Sequence, residues 1–197
     1  MAGAPSWLKG AQSETTRSSE PRGVLFVCTG NICRSAFADM YLRDRLRALG
    51  GVGVPVSSAG IMAVVGHDLD SQMAAEARAI GLSGSGHSAR QLTGRILRDA
   101  ALVVVFGPEH VEWIASEFPE HLVRTVALGQ AASALRHSAA RVPLREVAGE
   151  VQSADPDPSD SEWIADPYRR GPEAARVAAQ RIRSDVGILL DTISWPV

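Results

Sequence analysis

The chain has 197 residues, 45% of them hydrophobic and 21% charged, and 20 Lys+Arg against 22 Asp+Glu leave a net charge of −2. A chain of this length can bury most of its unfolded surface around one core, and its two cysteines cannot supply a disulfide framework. No apolar run reaches the roughly 20 residues of a membrane span, and the near-balance of charge gives no global pull towards nucleic acid or membrane. Lys9 is the only lysine, so local positive charge is almost all arginine, reflecting either composition or planar recognition of phosphate.

Residues 1–22, with Gly3, Pro5, Gly10 and a Ser/Thr/Glu/Arg tract from Gln12 to Arg22, are expected to be a disordered tail. They lack the apolar middle of an export signal, which places the expected domain, 23–197, in a reducing cytoplasm. Val24-Leu25-Phe26-Val27-Cys28 predicts a strand buried on both faces. The turn residues Thr29-Gly30-Asn31 follow, and then Phe37, Tyr41/Leu42, Leu46 and Leu49 mark a helix that stops at Gly50-Gly51. Further strands are predicted over Val54–Ala59, Ala101–Phe106 and Leu122–Leu128, with helices from Asp70 to Ile80, from Pro108, and from near Pro172 to Ile193. Strands alternating with helices predict an α/β fold, a doubly wound four-stranded parallel sheet flanked by helices. In such folds ligands bind beyond the carboxyl ends of the strands, where the loop Thr29–Ser35 lies. Residues 130–162, Ala/Arg-rich and then Ser-Ala-Asp-Pro-Asp-Pro-Ser-Asp, read as a long insert loop, either functional or mobile.

The chemistry concentrates in Cys28-Thr29-Gly30-Asn31-Ile32-Cys33-Arg34-Ser35. A loop of this size between strand and helix can curl so that successive N–H groups and the positive helix end form an anion nest. Arg34 offers the anion a planar bidentate partner, and the same field stabilises a thiolate at Cys28. A thiolate beneath a bound phosphate is placed for in-line attack on phosphorus, and Ser35 can hydrogen-bond it. Asn31 also suits a left-handed backbone. By itself Asp166 before Pro167 reads equally as a turn or capping aspartate. His67, His110, His121 and His137 show no metal-ligand spacing with the cysteines, so no metal is expected.

The segment from Val24 to Ser35 resembles the active-site signature of the low-molecular-weight protein tyrosine phosphatases. Ser58-Ala59-Gly60 and Asp166-Pro167-Tyr168 extend the resemblance, in the right order, over about Gly23 to Ile193. It implies that Cys28 is the nucleophile, Arg34 the phosphate clamp and Asp166 the acid that protonates the leaving phenolate and then activates water. It also implies that residues 29–35 hold the phosphate, that Asn31, Ser58 and His87 support the loop, and that no cofactor is needed. Cys33 is either the partner of Cys28 in a reversible disulfide or a packing cysteine. Tyr168 and the segment holding Met62, Ala63 and Val64 are the expected pocket wall.

The aliphatic run Ile61-Met62-Ala63-Val64-Val65-Gly66, the Asp-Pro-Tyr-Arg-Arg tail and His87-Ser88-Ala89-Arg90-Gln91-Leu92 are similar to the bacterial members paired with tyrosine autokinases of capsule and exopolysaccharide export. A tyrosine-phosphorylated protein, such an autokinase among them, is therefore the expected partner, with no nucleic acid or membrane insertion and a monomer or weak dimer. Ala36 in place of the usual proline, Gly107-Pro108-Glu109-His110 and the long stretch before Asp166 depart from the family pattern and bear on how substrate enters. Two other readings stay open. An arsenate reductase uses the same loop, although no resolving cysteine follows Cys33; a non-catalytic phosphotyrosine-binding module would need neither Cys28 nor Asp166.

Overall fold

The structure, a computed structural model, describes residues 22–50, 53–138 and 140–195. Four parallel strands, β1 (Gly23–Cys28), β2 (Val56–Gly60), β3 (Ala100–Val105) and β4 (Thr125–Ala127), lie in the order β2-β1-β3-β4. Every residue of β1 and β3 is buried, as continuous apolar runs require of strands covered on both faces. Successive side chains point to opposite faces. Val24, Phe26, Leu102, Val104 and Phe106 therefore enter one core cluster, and Leu25, Val27, Val103 and Val105 enter the other.

The first cluster is closed by α1 (Arg34–Ala48), α2 (Ser71–Ala79), α5 (Leu128–Leu135), α6 (Val147–Ala154) and the 22-residue α7 (Gly171–Thr192). The second is closed by α3 (Gly94–Asp99) and α4 (Pro108–Glu117) through Leu97 and Ile114. The predicted doubly wound sheet is the one observed. Asp70 starts α2 as its cap, accepting the N–H groups of Gln72 and Met73, so the expected helix begins one residue inside its predicted limit. Among the described residues no helix is long and apolar enough to cross a membrane.

Two expectations need correction. The strand predicted over Leu122–Leu128 shrinks to β4, because Pro119–Arg124 winds as a 3-10 helix whose Pro119 cannot join a ladder. Residues 130–162 are not an insert loop: they carry most of α5, the two-residue β5 (Val142–Pro143), which pairs with β6 (Ile193–Ser194), all of α6, and a 3-10 turn over Asp160–Glu162. Leu128, Ala131, Ala132 and Leu135 of α5, with Val147, Ala148 and Val151 of α6, are buried in the first cluster. Alanine carries too little apolar surface to mark a helical face in sequence, yet it lets helices approach closely once they pack. The tail expected over 1–22 lies, apart from Arg22, outside the described residues.

Candidate active site

The order β2-β1-β3-β4 reverses direction between β1 and β3, which opens a crevice beyond their carboxyl ends. The loop after β1 lies in that crevice, and its carbonyls are held from outside. Cys28 O accepts the N–H of Ile61 (3.0 Å), Thr29 O that of Met62 (3.0 Å) and Gly30 O that of Val64 (3.0 Å). Asn31 O accepts Nε2–H of His87 (2.6 Å), Ile32 O the N–H of Asp70 (2.7 Å), and Cys33 O that of Phe37 (3.0 Å). Six consecutive carbonyls are thus turned away from the loop's interior. The N–H groups of Gly30 to Arg34 meet no acceptor among the described residues, which is the arrangement of an anion nest at a helix N-terminus.

Asn31 locks this shape. Its φ of 54° is left-handed, a conformation open to asparagine at modest cost. Its side chain, fully buried, donates from Nδ2 to Ser35 Oγ (2.9 Å) and accepts at Oδ1 the N–H of Arg90 (2.9 Å). Ser58 joins one step further out. Its hydroxyl donates to Asp39 Oδ2 (3.0 Å), not to the loop, while its carbonyl accepts Arg90 Nε (2.7 Å). Gly60 admits no side chain because a Cβ there would stand 2.5 Å from Thr29 O and 2.9 Å from Asn31 N. The Ser58-Ala59-Gly60 triplet found in sequence is thus a backbone rest for the loop.

Cys28 Sγ lies 2.9 Å from Ser35 Oγ. Ser35 Oγ accepts from Asn31, and its own hydrogen has two acceptors in reach, Ala59 O at 3.5 Å and the nearer sulfur; a thiolate, which can only accept, draws it to the sulfur. Arg34, 2% exposed, donates from Nη1 to Ile164 O (3.0 Å) and pairs Nη2 with Asp166 Oδ2 (2.9 Å). Its Nε is buried without a partner among the described residues. A buried unspent guanidinium donor is costly unless an anion completes it. Asp166 Oδ1 accepts the N–H of Tyr168 (3.1 Å), so the Asp-Pro turn fixes the carboxyl against the arginine. Cys33 is a free, buried thiol. Burial first, then the charges of Asp70, Cys28 and Asp166, pushes it far above its ordinary value, so it stays protonated.

Two residues enter from the end of β3 that sequence reasoning had marked only as departures. His110 is fully buried. Its Nδ1 accepts the N–H of Gly107 (3.0 Å) and of Phe106 (3.4 Å), which leaves the hydrogen on Nε2, 3.2 Å from Thr29 Oγ1 and 3.2 Å from Glu109 Oε1. Burial, then the nearby Arg34 cation, pushes it down to about 3, so it is a neutral donor to the loop. The Glu109 carboxylate folds back over Gly107, where a Cβ would stand 2.2 Å from it, and reaches 3.7 Å from Arg34 Nη1. The signal for both was the start of a helix at the carboxyl edge of a central strand.

Of the expected pocket wall, Met62 is 68% and Tyr168 41% exposed. Ala63 and Val64 are half-buried, with Ala63 N–H held by Gln91 Oε1 (3.1 Å). Met62 and Val64 are tied to the loop through their own N–H groups, and Tyr168 lies two residues beyond Asp166 on the opposite segment. Arg169 stacks on the Tyr168 ring at 5.1 Å.

A parallel sheet carrying a cysteine, an anion nest and an arginine in one loop defines a cysteine-dependent phosphate-handling protein. The model of the low molecular weight phosphotyrosine protein phosphatases matches residues 23–144, and the chain belongs to that family, whose members are hydrolases. It is 38% identical over 107 residues to the low molecular weight protein-tyrosine-phosphatase Etp of Escherichia coli strain K12, covering 54% of this chain and 69% of that one. Among solved structures it is similar to the tyrosine phosphatase Wzb from Escherichia coli K30 in complex with sulphate, with TM-score 0.64, 28% identity, and coverage of 84% of this chain and 94% of that one. It is also similar to Vibrio vulnificus Wzb in complex with benzylphosphonate, with TM-score 0.67, 25% identity, and coverage of 87% and 99%.

Proposed function

We propose that the chain hydrolyses phosphotyrosine in proteins through a phosphocysteine on Cys28. The observation that carries this reading is the loop whose six carbonyls are held outward while its N–H groups and Arg34 Nε remain unspent beside Cys28 Sγ. A phosphate dianion seated there meets N–H donors and one guanidinium, and its phosphorus lies in line with the sulfur. The thiolate attacks phosphorus while the bond to the phenolic oxygen breaks, and Asp166 passes its proton to that oxygen. Asp166, now a carboxylate, takes a proton from water that attacks the phosphocysteine, releasing inorganic phosphate and restoring the thiolate, which accepts the Ser35 hydrogen bond. Arg34 turns part of its fork from Asp166 to the bound phosphate, and the carboxylate released from the ion pair beside the substrate dianion takes up from solvent the proton that it then donates to the leaving oxygen. Against arsenate reduction stands Cys33, the other thiol of the loop, buried and held protonated.

The test is hydrolysis of p-nitrophenyl phosphate and of a phosphotyrosine peptide by the wild type, Cys28→Ser and Asp166→Ala, with arsenate reduction under a thiol donor measured alongside. Cys28→Ser should lose at least about 10⁴-fold in rate, and Asp166→Ala about 10²- to 10⁴-fold while still binding phosphate. Folded wild type that turns over arsenate and no phosphate ester would overturn the reading. The aliphatic segment at Ile61–Gly66 and the Asp-Pro-Tyr-Arg-Arg tail support a cytoplasmic bacterial enzyme acting on a tyrosine autokinase of polysaccharide export or its substrates. Immobilised Cys28→Ser protein should then retain the phosphorylated autokinase and not its dephosphorylated form.

A further inference from the structure

A cavity of about 620 Å³ opens between α1, the edge strand β2 and residues 81–90, and neither Cys28, Arg34 nor Asp166 lines it. Its volume is that of a small-molecule site (roughly 300–1,000 Å³). Arg43 donates to Asp39 and to Val56 O (3.1 Å), and Arg90 Nε donates to Ser58 O (2.7 Å). The two arginines thus cover carbonyls on the open edge of the sheet, which blunts it against other strands. That duty uses only part of each guanidinium. Arg47, exposed in the last turn of α1, lines the cavity as well.

Of the two carboxylates of the wall, Asp39 uses both oxygens, on Arg43 and Ser58, and Asp44 uses one, on Arg45. Opposite them runs Gly81-Leu82-Ser83-Gly84-Ser85-Gly86, with positive φ at its three glycines (83°, 64° and 84°) and exposed serines at 83 and 85. Three arginines against two partly paired carboxylates leave the lining with more unspent charged donors than charged acceptors, and its serines add hydroxyls; this suits a phosphate ester with a polar carrier better than a cation.

We propose that this cavity is a second, regulatory site for a small phosphorylated metabolite, and that its occupant acts on the phosphate loop through His87 and Arg90. Both residues line the cavity and both hold Asn31, His87 through its ring Nε2 at the Asn31 carbonyl (2.6 Å) and Arg90 through its backbone N–H at the Asn31 side chain (2.9 Å). Asn31 keeps its left-handed backbone only because its surroundings over-determine it. A ligand that draws on the His87 ring competes directly for the Asn31 carbonyl, and one that pulls the Arg90 side chain from Ser58 O shifts the backbone whose N–H holds the Asn31 amide; either changes how firmly that conformation is held, and with it the rate of chemistry at Cys28. The kinetic consequence rests on the phosphatase reading; the binding does not.

The phosphate loop is itself an anion site, so the titration is made on Arg34→Ala protein, which lacks the clamp. A nucleoside diphosphate, a hexose phosphate and inorganic phosphate are titrated calorimetrically in turn. One of the two esters should bind, better than inorganic phosphate, and which one it is identifies the carrier. Adding Arg47→Glu should weaken it by about tenfold or more. In the otherwise native chain the same ester should change kcat for p-nitrophenyl phosphate without the rise in KM of a competitor. Arg47→Glu should abolish that response and keep the ester-free rate, which also shows that it folds. No binding to Arg34→Ala protein, binding indifferent to Arg47→Glu, equal affinity for inorganic phosphate, or purely competitive inhibition would each overturn the proposal. If the native chain hydrolyses nothing, the phosphatase reading fails and the titration still decides this one.

Discussion

Residues 28–35 and the segments around them, 61–67, 107–110 and 164–170, differ in how much of their structure is committed. In the loop every carbonyl from Cys28 to Cys33 has a partner, Asn31 uses both ends of its amide, and all residues but Thr29 and Gly30 are buried. On the rim, Met62, Glu109 and Tyr168 are exposed, and Asp166 pairs with Arg34 across the site. Under the proposed function the loop recognises a phosphate whatever carries it, so it gains from rigidity: a donor fixed in advance needs no reorganisation during reaction. Under the same proposal the rim meets the part of the substrate that varies, and its side chains are free to differ without disturbing the nest.

This contrast predicts graded effects. Asn31→Ala strikes the committed region hardest: it removes one buried and one part-buried bond and the residue suited to φ 54°. Turnover of p-nitrophenyl phosphate should fall on the order of 10²-fold, and stability should drop by about 1–3 kcal/mol in denaturant unfolding. Gly60→Ala tests the same region from the backbone side, since its Cβ must displace Thr29 O. A nearly unchanged kcat in either variant would show that the loop is not held by these contacts.

His110 links the two regions, and its effect is read in acid. It is neutral in the fold with its pKa pushed down to about 3, against 6.5 as the ordinary value, so the unfolded chain binds the extra proton. The stability it contributes is complete above pH 6.5 and is lost as pH falls towards 3, by about 1.4 kcal/mol per pH unit within that window. Thermal unfolding of the wild type should weaken over this range, and His110→Gln should lose part of that slope.

Smaller effects belong to the rim. Glu109→Gln removes a half-exposed carboxylate 3.7 Å from Arg34 Nη1, so inorganic phosphate should inhibit a few-fold more strongly at low salt, with the difference fading as salt is added. Met62→Ala should alter stability by less than about 0.5 kcal/mol and change KM for a phosphotyrosine peptide more than for p-nitrophenyl phosphate. Equal changes for both substrates would remove Met62 from the wall of the pocket.

How far the site was legible follows from how local each part is. Cys28 to Ser35 is one stretch running from a buried strand into a helix, so its chemistry shows in the order of its residues. Asp166 stood out only through likeness to a family, because an Asp-Pro pair has the same local look in any turn. The part of His110 was hidden: nothing adjacent in sequence tells that Nε2 faces Thr29. Ser58 was expected on the loop and its hydroxyl is on Asp39, a choice made by α1 lying against β2.

What the sequence by itself determined was the alternation of strand and helix, the anion loop and the order of its functional groups, since these depend on periodicity and on neighbours along the chain. Tertiary structure alone decided that 130–162 carries most of α5, whose alanine face becomes a core only against α7, and all of α6, which packs in turn on α5 and β4. It alone brought Glu109 and His110 from β3, and Asp166 from before α7, onto a loop that follows β1. The physical reason is that burial and cross-chain hydrogen bonds depend on which elements share a sheet edge, and that adjacency is a property of the packed sheet.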